Sequence, residues 1–108
     1  MLNRCYAITL NSNNWRKTRD YYVDALLMQV LDERPGSSIT LDGGSVQITI
    51  ETLYNKPDSL VTLYFETEDV RHFCDRLRLH GHDVPNESSD KAELIDPDGR
   101  KIVVTQSF

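Results

Sequence analysis

The sequence predicts an α+β fold of two βαβββ modules. Three observations carry this expectation: strand-like alternation opens each half, an amphipathic helix follows it, and extended segments punctuated by turn residues complete it. At 108 residues the chain suits one ordinary core, so the modules are read as halves of a single domain, module one over about 4–53 and module two over about 59–107. Apolar residues make up 39% and charged residues 27%, the balance of a globular protein, and no apolar run approaches the roughly 20 residues of a membrane span. The first residues lead straight into strand-like sequence without the apolar stretch and small-residue cleavage site of a secretory signal, so a cytoplasmic location is expected. The net charge of −5, with Lys and Arg scattered along the chain, points away from nucleic acid as a partner.

In module one, period-2 alternation over 6–10 marks a strand, and Asn11-Ser12-Asn13-Asn14 is dense in turn and N-cap residues. From Trp15 to about Met28, Trp15, Thr18, Tyr22, Ala25 and Leu26 recur at helical spacing, leaving Arg16, Lys17, Arg19, Asp20 and Asp24 for the opposite side. Residues 29–32 read as extended, Pro35-Gly36 as a turn and 38–41 as extended. Asp42-Gly43 is a hairpin signal before Val46, Ile48 and Ile50 alternate. Module two repeats the order. Residues 60–66 alternate, Thr67-Glu68-Asp69 caps a helix with the apolar stripe Val70, Phe73, Cys74 and Leu77, and Gly81 ends it. A short extended stretch begins at Val84, another spans 92–95, Asp96-Pro97-Asp98-Gly99 turns the chain, and 101–105 is the last strand. Residues 53–59 read as the linker. Corresponding positions recur at similar offsets: Ala7 to Thr62 at 55, Val30 to Val84 at 54, and Asp42 to Asp98 and Ile48 to Val104 at 56.

One face of these strands is apolar, supplied by Tyr6, Ile8, Leu10, Val46, Ile48, Ile50, Val61, Leu63, Phe65, Ile102 and Val104, which two amphipathic helices can cover. The other carries Ala7, Thr9, Asn11, Gln47, Thr49, Glu51, Thr62, Tyr64, Glu66, Val103 and Thr105. Cys5 and Cys74 stand alone, without a clustered His, and read as reduced, buried small hydrophobes. His72 falls in the second helix and His80 and His82 bracket its end, where a His serves as a dipole partner or a solvated residue. Ser45 follows two glycines but lacks a strand-to-helix elbow, so no nucleophile is arguable. Glu51 is the carboxylate of the polar face best placed to act as a base.

The element order, with Tyr21-Tyr22 late in the first helix, Phe65-Glu66-Thr67-Glu68-Asp69-Val70 entering the second and Asp96-Pro97-Asp98-Gly99-Arg100 before the last strand, resembles the vicinal-oxygen-chelate superfamily. That family includes glyoxalase I, extradiol dioxygenases and the bleomycin- and fosfomycin-resistance proteins. The resemblance spans essentially the whole chain. It implies the glyoxalase/bleomycin resistance fold, in which curved strands form a cup, helices lie outside, and chains of this length pair as homodimers.

The resemblance also implies where a metal would be held: His or Gln on the first strand, Glu on the fourth, His on the fifth and Glu on the eighth. Those positions match Ala7, Gln47, Thr62 and Val103. Ala and Val offer no lone pair, Thr is a poor neutral ligand, and Gln alone cannot supply the set a divalent cation requires. Metal-independent binding of a small, partly polar organic molecule is therefore expected, similar to the bleomycin-type resistance proteins, with no cofactor. Thr9, Asn11, Gln47, Thr49, Glu51, Thr62, Tyr64 and Val103 are the expected contacts. Trp15 and Tyr54 are candidates for stacking at the rim, although Trp15, at a helix start, is better suited to a packing anchor. The alternatives are a glyoxalase I-like lyase or isomerase, a dioxygenase, and a dimeric scaffold without a ligand.

Overall fold

The computed structural model describes residues 1–52 and 60–107. The chain divides into two compact units, Met1–Asp58 and Ser59–Phe108. Each holds a four-stranded mixed sheet with one helical segment, in the order strand, helix, three strands.

In the first unit β1 (Ala7–Ser12) pairs in parallel with β4 (Gln47–Thr52), β4 pairs antiparallel with β3 (Ser38–Asp42), and β3 antiparallel with β2 (Val30–Arg34). The parallel pairing requires a crossover, and α1 (Trp15–Asp20) with the π-helical turn Tyr21–Ala25 supplies it. Asn14 caps the helix, its side-chain oxygen accepting from the Lys17 amide. Trp15, Thr18, Tyr22 and Ala25 are buried on the helix, as are Leu10, Ile39, Leu41, Ile48 and Ile50 on the sheet. Full burial of each large side chain is worth about 1.5–3 kcal/mol. Arg19 ties the helix to β2 by donating to Glu33 from Nε at 3.4 Å and from a second guanidinium nitrogen at 3.1 Å.

The helix ends at Ala25, short of the expected Met28. The Leu26 amide reaches back five residues to the Tyr21 carbonyl at 3.0 Å, widening the last turn, and Leu27 then adopts a left-handed backbone with φ +58° that cannot continue a right-handed helix. Tyr6 departs from its expected place on the apolar face. It precedes β1 and is 67% exposed, because at the sheet margin the covering helix no longer reaches it.

In the second unit β5 (Thr62–Thr67) pairs in parallel with β8 (Lys101–Gln106), followed by β7 (Lys91–Ile95) and the two-residue β6 (Asn86–Glu87), both antiparallel. The crossover is α2 (Val70–Leu79). Asp69 caps it by accepting from the His72 amide, and Gln106 clamps the same end, accepting from the Val70 amide and donating to the Glu68 carbonyl. Past the helix, Gly81 takes the left-handed backbone expected of a helix end, with φ +83°. Val70, Cys74 and Leu77 are buried on the helix and Leu63, Ala92, Leu94, Ile102 and Val104 on the sheet, with Val84 partly buried against Val70, Cys74 and Ala92.

The turn between β7 and β8 is built around a buried ion cluster. Arg100, fully enclosed, donates to Asp96 Oδ2 at 2.7 Å and to Asp98 Oδ2 at 3.4 Å, while Asp96 Oδ1 accepts the amides of Asp98 and Arg100, each at 2.9 Å. Among the cysteines only Cys74 is buried; Cys5, expected to be buried too, is exposed in the segment ahead of β1.

The repeat is real but its offset changes along the chain. Ala7 and Thr62, 55 positions apart, both open their strands, whereas Gln47 and Lys101, which open β4 and β8, are only 54 apart. Ile48 therefore corresponds to Ile102 rather than to Val104, because the two modules differ in loop length between helix and last strand.

Candidate functional site: the polar sheet faces

Strand pairing sorts the polar side chains into rows. On the first sheet the rows are Ala7, Gln47 and Asp42; Thr9, Thr49, Thr40 and Asp32; and Asn11, Glu51, Ser38 and Arg34. On the second they are Thr62, Lys101 and Ile95; Tyr64, Val103, Glu93 and Asn86; and Glu66, Thr105 and Lys91. All eight expected contacts thus lie opposite the core rows, and six of them are neighbours in pairs across parallel strands: Thr9 beside Thr49, Asn11 beside Glu51, and Tyr64 beside Val103. Thr9, Gln47 and Glu51 are exposed, and Asn11, Thr49 and Thr62 are half-buried.

The two faces differ in chemistry. The first is lined by hydroxyls and amides, and the Thr40 and Thr49 hydroxyls share a hydrogen bond of 2.9 Å. The second presents Tyr64, 75% exposed, next to Val103, which is only 4% exposed although it belongs to the polar row. Beside them Glu93 is shared: its Oε1 lies 3.3 Å from Lys101 Nζ and 3.8 Å from Lys91 Nζ, and its Oε2 accepts from Asn86 at 3.4 Å. Ser38, Thr40, Lys91, Glu93 and Lys101 were not among the sequence-derived contacts. The period-2 alternation of 38–42 and 91–95 was the available signal, but which side of an inner strand is polar becomes definite only once its register against a neighbour is known.

A hollow of about 300 Å³ at one end of the first face is lined in part by Tyr6, Leu31, Asp42 and Gln47. A larger groove of about 720 Å³ runs between α2 and the segment at Pro85, past Arg71, Arg78 and Ser88, and contains none of the expected contacts. Trp15 is 6% exposed and packs as an anchor at the start of α1. Tyr54 lies outside the described residues.

The donors do not fit the superfamily's metal. Ala7 and Gln47 are register partners, and the position opposite Thr62 that corresponds to Gln47 is Lys101, whose ammonium repels cations. Among the described residues, no three His, Cys, Asp or Glu side chains come together as a metal site.

The architecture is that of the vicinal-oxygen-chelate class. Among solved structures, the antibiotic-binding protein TnmS3 from Streptomyces sp. CB03234 superposes with a TM-score of 0.80 at 22% identity, over 99% of this chain and 98% of that one. A glyoxalase/bleomycin resistance protein from the same organism gives 0.74 at 23% identity, over 95% and 100%. Lactoylglutathione lyase from Agrobacterium tumefaciens gives 0.78 at 12% identity, over 99% and 96%. No protein-family model matches the sequence, and no curated protein matches it. At these identities the likeness establishes the shared fold, within which binding proteins and an enzyme both occur.

Proposed function

We propose that this chain is a cytoplasmic, metal-independent protein that binds a small, partly polar organic molecule on the polar faces of its sheets, as a homodimer. The observation that carries the reading is the composition of those faces. They array hydroxyl, amide and a few charged side chains on one sheet and an exposed tyrosine beside a valine on the other, with no carboxylate–imidazole set to hold a catalytic metal among the described residues. The resemblance in fold to an antibiotic-binding protein and to a bleomycin resistance protein supports it. Binding and holding such a molecule, without altering it, needs only these contacts.

The test is a thermal-shift screen of drug-like and natural-product libraries followed by calorimetry on the hits. Tyr64→Ala should weaken binding about tenfold, because an aromatic ring with a hydroxyl supplies apolar area and a hydrogen bond together. Glu51→Gln should weaken it if the bound polar group faces that carboxylate, at about 1–3 kcal/mol for a buried partner left unpaired. Arg16→Ala and His72→Ala, on the helices, should bind as the parent. Wild-type affinity in both Tyr64→Ala and Glu51→Gln, with the fold intact, would remove the sheet faces as the site and leave the dimeric scaffold as the better reading.

A further inference from the structure

We infer that the ligand carries an anionic group attached to a flat apolar part, and that Lys101 selects for it. This rests on the reading of the sheet faces as the ligand site and assigns the chemistry recognised there.

Lys101 opens β8, directly beside Thr62 on β5 and Ile95 on β7. One step along the same face come Val103 and, in register with it, Tyr64. Lys101 therefore stands in the sheet between Thr62 and an isoleucine that is 53% exposed, one row from a tyrosine that is 75% exposed, with its ammonium 3.3 Å from Glu93 Oε1. The exposed Tyr64 ring and Ile95 side chain offer apolar area to the body of a ligand. A ligand covering them displaces water from around the ammonium and strengthens its attraction for an anion.

The face as a whole is balanced, and it is the placing of its charges that favours an anion at the Lys101 end. Its ionisable groups are Glu66, Lys91, Glu93 and Lys101. The single Glu93 carboxylate is divided between two ammoniums, at 3.3 Å from Lys101 and 3.8 Å from Lys91, so it does not neutralise Lys101 completely. An ammonium has three donors, and a single carboxylate oxygen leaves part of the Lys101 set available. Glu66 stands in the row of Thr105 and Lys91, where it offsets the Lys91 charge, four residues along β5 from Thr62 and so about 13 Å from the Lys101 row. An anion seated between Lys101 and Thr62 avoids it, while an aromatic body extends over Tyr64. In the first unit the corresponding strand-opening residue is the neutral Gln47, so this preference belongs to the second sheet.

Two fluorescent probes with nearly the same aromatic body test the inference: anilinonaphthalene sulfonate, an anion, and N-phenylnaphthylamine, which is neutral. Both should bind the wild-type protein saturably. Lys101→Gln should weaken the sulfonate about fivefold, the upper range for a partly exposed charge pair, and leave the neutral probe within about twofold. Lys101→Arg should restore the sulfonate preference, Tyr64→Ala should weaken both probes, and Arg71→Gln, on α2, should change neither. Circular dichroism and thermal unfolding establish that each variant is folded. If both probes bind and weaken in Tyr64→Ala, yet Lys101→Gln affects them equally or Arg71→Gln matches its effect, the anion preference is refuted and the sheet-face site stands. If neither probe binds saturably, or Tyr64→Ala leaves both unchanged, the sheet-face site itself falls and this inference with it.

Discussion

Glycine at position 27 should give a more stable protein than alanine at position 27, reversing the usual order. Leu27 has φ +58° at the end of the first helix and is 63% exposed. Leu27→Ala and Leu27→Gly delete the same outer side-chain contacts, so their difference isolates the backbone. A left-handed conformation costs an L-residue about 1–2 kcal/mol that glycine does not incur. Glycine loses about 0.5–1 kcal/mol more chain entropy on folding. The balance favours Leu27→Gly over Leu27→Ala by about 0.5–1 kcal/mol. At Asp75, in the middle of α2, the same pair should run the other way, with glycine about 0.8–1 kcal/mol worse than alanine. Urea unfolding followed by circular dichroism measures both pairs, and the Leu27 pair should separate by about 0.5 M in midpoint for a chain of this size. Equal stability at 27, or alanine ahead of glycine, would mean that Leu27 is not held left-handed in solution and that the helix ends for another reason.

The remaining expectations concern the second unit, the metal and assembly. Arg100→Met leaves Asp96 and Asp98 enclosed without their cation and should cost about 3–5 kcal/mol by chemical denaturation; a loss below about 1 kcal/mol would show that the cluster is hydrated rather than enclosed. Burial raises the Cys74 thiol pKa, with Glu87 adding to the effect. The folded chain then keeps a proton that the unfolded chain releases, so this group's contribution is complete at neutral pH and declines from about pH 8.5 upward. Cys74→Ala should show a shallower fall of stability at alkaline pH than the parent, and parallel curves would contradict the assignment. In native protein a thiol reagent should titrate Cys5 at once and Cys74 only on unfolding. Elemental analysis should find no stoichiometric divalent metal, and about one zinc, iron, nickel or manganese per chain would overturn metal independence. Light scattering at micromolar concentration should give the mass of a dimer, a monomer mass counting against it.

Much of the architecture was legible because it follows from local pattern. The alternation of Ile8 and Leu10 against Thr9 and Asn11, and of Ile48 and Ile50 against Gln47, Thr49 and Glu51, marks the two sides of those strands. The hairpin at Asp42-Gly43, the Asp69 cap and the end at Gly81 are likewise local, each residue meeting its own backbone requirement. The end of the first helix was not legible in this way. Leu26, Leu27 and Met28 continue an acceptable helical pattern, and the left-handed turn at Leu27 is imposed by the chain's return to β2. The eighth strand shows the same division: its extended character was plain, but its pairing was offset by two residues from the repeat, which concealed Lys101 as the neighbour of Thr62.

The sequence by itself therefore determined the order of strands and helices, the alternation within the strands that open each module, and which residue types stand where the resemblance implies metal donors. Those properties depend on side-chain type and on neighbours a few residues away. Only the tertiary structure decided which polar residues share a row, that two lysines divide one carboxylate between them, that Val103 is buried while Tyr64 is exposed, and that Arg100 is enclosed with Asp96 and Asp98. Each of these depends on the register between strands distant in sequence, and a shift of a single residue there exchanges one face for the other.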